Sequence, residues 1–137
     1  VSTLERAIAI AVDAHAGQRD RSGAPYVLHP LRVMFRLATD EERIAGVLHD
    51  VVERSPDWTL GRLSAEGFAT EVVRAVDALS RRDGETYEDY ILRSATSDLA
   101  RRVKIADLDD KIETAGPSGP PEKFLRAIAV LRSGPPR

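Results

Sequence analysis

The sequence of 137 residues contains no cysteine. That absence excludes disulfide frameworks, thiolate zinc sites and a cysteine nucleophile together, and it fits a reducing compartment. Any metal held by this chain must therefore use imidazole and carboxylate. Long apolar runs are also missing: stretches such as Ala7 to Val12 fall far short of the roughly 20 residues that a membrane span needs. The amino terminus shows no charged-then-apolar signal pattern, so the expected location is cytoplasmic, with no membrane partner. There is no low-complexity stretch, no internal repeat and no period-2 strand pattern. An excess of positive charge is lacking too. The formal net charge of -2 gives no overall attraction to nucleic acid, which is not expected as a partner.

What is present is an ordinary globular composition, 42% hydrophobic and 31% charged, so a packed core is expected rather than a disordered chain. Length and the short connections between periodic segments, about 2–8 residues, leave no linker. The expectation is one domain over residues 1–137, with its core at about 4–131, in an all-α fold: a single compact bundle of irregular, non-parallel helices.

Helical spacing supports that class. Ser2 and Glu5 read as a capping box for a first helix running to about His15, ended by Gly17. Residues 18–26 carry loop chemistry, and Pro30 suits the first position of a second helix, which makes His29 its expected N-cap. That helix, to about Ala38, would bury Val33, Met34 and Leu37. Asp40 is expected to cap a third helix whose apolar stripe, Ile44, Val47, Leu48, Val51 and Val52, is continuous. Further helices are expected after Thr59, over Glu71 to Leu79, after Thr86, after Asp98, and through Phe124, Ile128 and Leu131, with breaks at Gly84 and Gly116 to Pro121.

Four residues interrupt these patterns. Histidine is an unusual N-cap, which gives His29 another use, although an isolated histidine is more often a surface group. His49 and Asp50 lie off the apolar stripe of the third helix, where Ala45 and Gly46 leave room for a covering segment. Neighbours on a helix point about 100° apart, so this pair meets only through a shared third party such as a metal. Asp107 falls on an otherwise inward stripe after Ala100 and Val103, where a carboxylate needs a salt bridge to Lys104 or Lys111, or a metal. Two imidazoles and two carboxylates suit manganese, iron, zinc or another divalent ion and leave positions open for water and substrate.

Four blocks carry these residues: Ala14-His15-Ala16-Gly17-Gln18, the run from Ser22 to Pro30, Leu48-His49-Asp50-Val51-Val52-Glu53, and Val103-Lys104-Ile105-Ala106-Asp107-Leu108. Together they resemble the HD hydrolase domain of RelA/SpoT proteins, over roughly residues 4 to 131. The resemblance implies an all-α fold and His29, His49, Asp50 and Asp107 as metal ligands. It also implies manganese as the cofactor and hydrolysis of the guanine nucleotide (p)ppGpp at the 3′ position with release of pyrophosphate. Glu53 matches an acidic residue that handles the attacking water, and Arg21, Lys104 and Lys111 are the expected substrate-binding cations. His15 is read as a structural histidine that orients a nearby loop, and Tyr26 either lies near a nucleotide or, as is more common in a small helical core, packs with only its hydroxyl wet. The chain departs from the family at Arg54, where an aspartate usually follows Glu53, at Lys111, where an asparagine is usual, and at Asp20, where a basic residue is common. These departures keep two alternatives open: an HD enzyme acting on another nucleotide or phosphate ester, and a metal- or nucleotide-binding module without catalysis. A homo-oligomer also stays open.

Overall fold

The computed structural model describes residues 2–133. Among them the chain is all-α: α1 (Leu4–Ala14), α2 (Leu28–Phe35), α3 (Asp40–Leu48), α4 (Val51–Arg54), α5 (Leu60–Ala65), α6 (Thr70–Ala78), α7 (Tyr87–Ser94), α8 (Asp98–Glu113) and α9 (Glu122–Arg132). No strand forms among the described residues, only an isolated bridge between Arg19 and Pro25 in the α1–α2 loop. No described helix is long and apolar enough to cross a membrane.

Short hydroxyl side chains begin most of the helices, because their oxygens accept the free amides of the first turn. Thr59 and Thr86 do this for α5 and α7, as the sequence suggests. At three other starts the cap is the residue beside the expected one: Thr3 rather than Ser2, Thr39 rather than Asp40, and Ser97 rather than Asp98. In each case the hydroxyl is the acceptor that reaches the N3 amide. Thr39 and Glu42 complete a reciprocal capping box. Gly17, at φ +79°, turns the chain out of α1 in a conformation that costs other residues a steric penalty.

Two departures from expectation shape the site. His29 is not an N-cap: Val27 holds that place, and His29 lies inside the first turn of α2. Pro30 is accommodated as the third residue of α2 because the first four amides of a helix lack intrahelical partners in any case, so its missing N–H costs nothing there. The expected single third helix is two. α3 ends at Leu48 and α4 begins at Val51, with His49 and Asp50 forming the joint.

The core is built around α3, which touches α1, α2, α6 and α8. Its small face is filled from α2 and the turn after it: a Cβ on Gly46 would lie 2.6 Å from Leu37 Cδ1 and 3.5 Å from Val33 Cγ1, so glycine permits that approach. A main hydrophobic cluster joins α1, α2, α3, α6 and one side of α8, including Ile10, Val33, Val47, Leu48, Val76 and Val103. A second, smaller cluster lies on the other side of α8 and holds Tyr90, Ile91, Leu108, Ala127, Ile128 and Leu131.

Candidate metal centre

His49 and Asp50 stand at the joint between α3 and α4, and His49 Nε2 lies 3.2 Å from Asp50 Oδ2, so the two side chains share one point. His29 from α2 and Asp107 from α8 complete the group. One ligand atom from each of the four lies within 4.8 Å of all the others, and all four residues are buried. His29 Nε2 is 2.7 Å from Asp107 Oδ1 and 3.8 Å from Asp50 Oδ2, while His49 Nε2 is 3.3 Å from Asp107 Oδ1.

Each imidazole is oriented from behind. His49 Nδ1 donates to the Gly46 carbonyl at 2.6 Å, and His29 Nδ1 donates to Asp110 Oδ2 at 2.7 Å. Both rings therefore spend Nδ1 on a fixed acceptor and turn Nε2 to the common point, the arrangement that protein metal sites use to set tautomer and ring direction. Asp50 is held by the Tyr26 hydroxyl, which donates to Oδ2 at 2.5 Å.

The electrostatics fit a divalent ion. Burial alone would drive the His49 imidazole to lose its proton, but Asp50 and Asp107 outweigh it and push its pKa up to about 10. For His29, burial is likewise outweighed by hydrogen bonds to Asp107 and Asp110, and its pKa is raised. Burial opposes ionisation of Asp50 and Asp107 as well. The neighbouring His49 cation overrides it for Asp50, and Lys104 and Lys111 do so for Asp107, keeping both carboxylates well below the usual range. Protons on the imidazoles thus balance two buried carboxylates, a task that a divalent cation fulfils in their place, so metal uptake expels protons. His49 Nε2 argues for the ion most directly: it is buried, and its approaches to Asp50 and Asp107, at 3.2 and 3.3 Å, are not aligned as hydrogen bonds. Two nitrogens and two oxygens form a set suited to first-row divalent metals.

On its far side Asp107 is tied to the second cluster. Its Oδ2 accepts from Lys104 Nζ at 2.8 Å, and the same ammonium donates to the Tyr90 hydroxyl at 3.1 Å, which donates in turn to the Leu79 carbonyl at 2.8 Å. Lys104, expected at the substrate, is buried with both partners filled, so its charge is turned to Asp107. Lys111 Nζ reaches Asp107 at 3.4 Å from a partly exposed position. Both lysines foreseen as partners of Asp107 are in place. Arg21 is exposed in the α1–α2 loop. Glu53 is exposed on α4 outside the four-residue group, where its carboxylate accepts the Arg81 amide at 3.0 Å. His15 is buried, donating to Gln18 Oε1 at 3.0 Å and lying edge-on to Tyr26.

Sequence reasoning missed Asp110. It is 1% exposed, and it both orients His29 and pairs with Arg32 Nε at 2.8 Å and Nη2 at 3.1 Å. The available signal was its spacing, since residues three apart share a helix face and Asp107 had already been placed inward. Asp110→Asn keeps the shape but loses the charge that supports the imidazole. Its affinity for manganese is expected to fall about 10–100-fold with the fold intact. Competition with a chelating dye checks this, and unchanged affinity would remove Asp110 from the centre.

The profile of a family described as HD domain matches residues 7–108. A probable GTP pyrophosphokinase of Mycobacterium leprae is 35% identical over 138 residues, covering 92% of this chain and 17% of that protein. The guanosine-3′,5′-bis(diphosphate) 3′-pyrophosphohydrolases of Vibrio cholerae and Haemophilus influenzae are 30% and 33% identical, over 96% and 89% of this chain and 20% of each relative. The chain thus spans at most about a fifth of the length of these relatives. A solved structure of a metazoan ortholog of SpoT that hydrolyzes ppGpp superposes with a TM-score of 0.73 at 19% identity, covering 96% of this chain and 83% of that one. At that identity the likeness establishes the fold.

Proposed function

The chain belongs to the HD domain family, and on that premise we propose that it is a metal-dependent phosphohydrolase that takes (p)ppGpp and releases pyrophosphate from the 3′ position. The observation that carries this reading is the convergence of His29, His49, Asp50 and Asp107, buried and with both Nε2 atoms facing inward. The substrate assignment is supported by the names of the Vibrio and Haemophilus relatives, which match nearly the whole chain.

These four residues would hold the ion, with manganese the metal we assign. A bound divalent ion makes water more acidic and draws charge from a phosphoryl oxygen. The chain's own residues supply the rest. Tyr26 fixes the Asp50 carboxylate, and Asp110 and the Gly46 carbonyl fix the imidazoles, so the ligand set needs little rearrangement. Lys104 acts through Asp107, whose buried charge it balances. Lys111, the partly exposed cation beside that carboxylate, is assigned to a phosphate, and the exposed Arg21 of the loop to a second contact. Glu53 is assigned to the attacking water. Its Oε1 accepts the Arg81 amide, which leaves Oε2 to accept from water.

The test is release of phosphate and pyrophosphate from ppGpp with manganese, beside GTP, GDP and unrelated nucleotides. Pyrophosphate from ppGpp alone is the expected result. Metal-dependent release from another nucleotide would move the substrate within the family. Bound metal without turnover of any substrate would overturn the enzymatic reading in favour of a binding module.

A further inference from the structure

Arginines in this protein are mostly spent on carboxylates: Arg6 on Glu66, Arg32 on Asp110, Arg93 on Glu85, and Arg102 on Glu42 and Asp98. Arg54 is built differently. Its guanidinium lies over the face of Tyr26, with Cζ 3.5 Å from the ring centroid, and its Nε donates to Gln18 Oε1 at 3.1 Å. Gln18 returns a hydrogen bond from Nε2 to the Arg54 carbonyl at 2.9 Å and is itself anchored on the Ala14 carbonyl at 3.1 Å and on His15. One glutamine thus clamps both the backbone and the side chain of Arg54. No carboxylate pairs with this guanidinium among the described residues, and its terminal nitrogens are uncommitted.

The place of this clamp gives it meaning. Tyr26, the ring under the guanidinium, is the residue whose hydroxyl holds Asp50 at 2.5 Å, and its ring lies edge-on to His29 at 5.8 Å between centroids. A fixed cation is therefore stacked on the outer face of the ring that forms one wall of the metal centre. Stacking leaves a guanidinium's N–H groups free, and a planar fork of two donors matches adjacent phosphate oxygens better than an ammonium does. Free surface arginines lose side-chain entropy when they bind an anion, whereas one held at Nε and on its face has already lost it.

We propose that Arg54 is a phosphate-binding residue of this centre, its fork taking oxygens of the pyrophosphoryl group of the substrate. The role in turnover rests on the phosphohydrolase reading, and the binding role rests on the geometry alone.

The experiment uses the manganese-loaded chain with inorganic pyrophosphate as probe, measured by calorimetry for the parent, Arg54→Gln, Arg54→Lys and, as a remote charge control, the exposed Arg74→Gln. Arg54→Gln is expected to bind pyrophosphate at least about 10-fold more weakly, Arg54→Lys to lose a smaller part, and Arg74→Gln to match the parent, with manganese affinity equal in all four. Kinetics on ppGpp should then show the loss of Arg54 in KM. If the parent fails to turn over ppGpp but Arg54→Gln still weakens pyrophosphate binding, the substrate reading falls and the site stands. Equal pyrophosphate affinity in parent and Arg54→Gln, a loss of equal size in Arg74→Gln, or no pyrophosphate binding by the parent overturns the site.

Discussion

Asp50→Asn is expected to lower pyrophosphate release from ppGpp by roughly 10³-fold or more, equivalent to at least about 4 kcal/mol of activation barrier. The amide has nearly the shape of the carboxylate and its oxygen can still accept from Tyr26, so the loss reports the missing charge and not a collapsed wall. Asp50 is one of only two carboxylates in the four-residue group, and its removal leaves two imidazoles and Asp107 to hold a dication in a buried site. Manganese affinity and activity should fall together. Stoichiometric metal at parent affinity, with activity retained, would take Asp50 out of the ligand set.

The second large effect is on stability. Asp107→Leu removes the partner of Lys104, which is 3% exposed and cannot reach water without opening the core. Breaking a buried ion pair from one side strands the remaining charge, at a cost of about 3–5 kcal/mol. For a chain of this length that amounts to a Tm lower by roughly 10–20 °C. Adding Lys104→Met removes one stranded charge and fills the space with an apolar side chain, so the double variant should recover part of the loss, the share of His29 and His49 that Asp107 also faces staying lost, while remaining inactive. Urea unfolding with a chelator present isolates the ion pair from any metal effect. A single variant within about 1 kcal/mol of the parent would show that Lys104 finds another partner.

Much of this centre was legible in the sequence because its parts are local. His49-Asp50, and Asp107 with Lys104, are read within a few residues, and Asp107 betrays itself by interrupting an apolar stripe. The helix class and most helix positions were legible for the same reason. What was hidden depended on partners far along the chain. Asp110 looks like one more surface acid until His29 and Arg32, 81 and 78 residues away, are placed against it. The joint between α3 and α4 was concealed by Ile44, Val47, Leu48, Val51 and Val52, whose spacing stays in phase across the break, so periodicity continued where hydrogen bonding did not. The clamp on Arg54 joins residues 36 apart, and a sequence reading could note only that a cation stood in an acid's place.

The two hydrophobic clusters on opposite sides of α8 have a kinetic consequence. Ala100, Val103 and Ala106 face one, and Leu108 the other, with Ile105 and Ile112 packed against it. Lys104, Asp107 and Asp110 fill the flanks between them. No partial opening that spares one core can expose the middle of this helix to solvent. Its amide hydrogens should therefore be the last in the molecule to exchange with deuterium, and should do so only through complete unfolding, whereas α5 and the exposed face of α9 exchange by local opening. The helix that supplies Asp107 is in that sense the slowest clock in the fold.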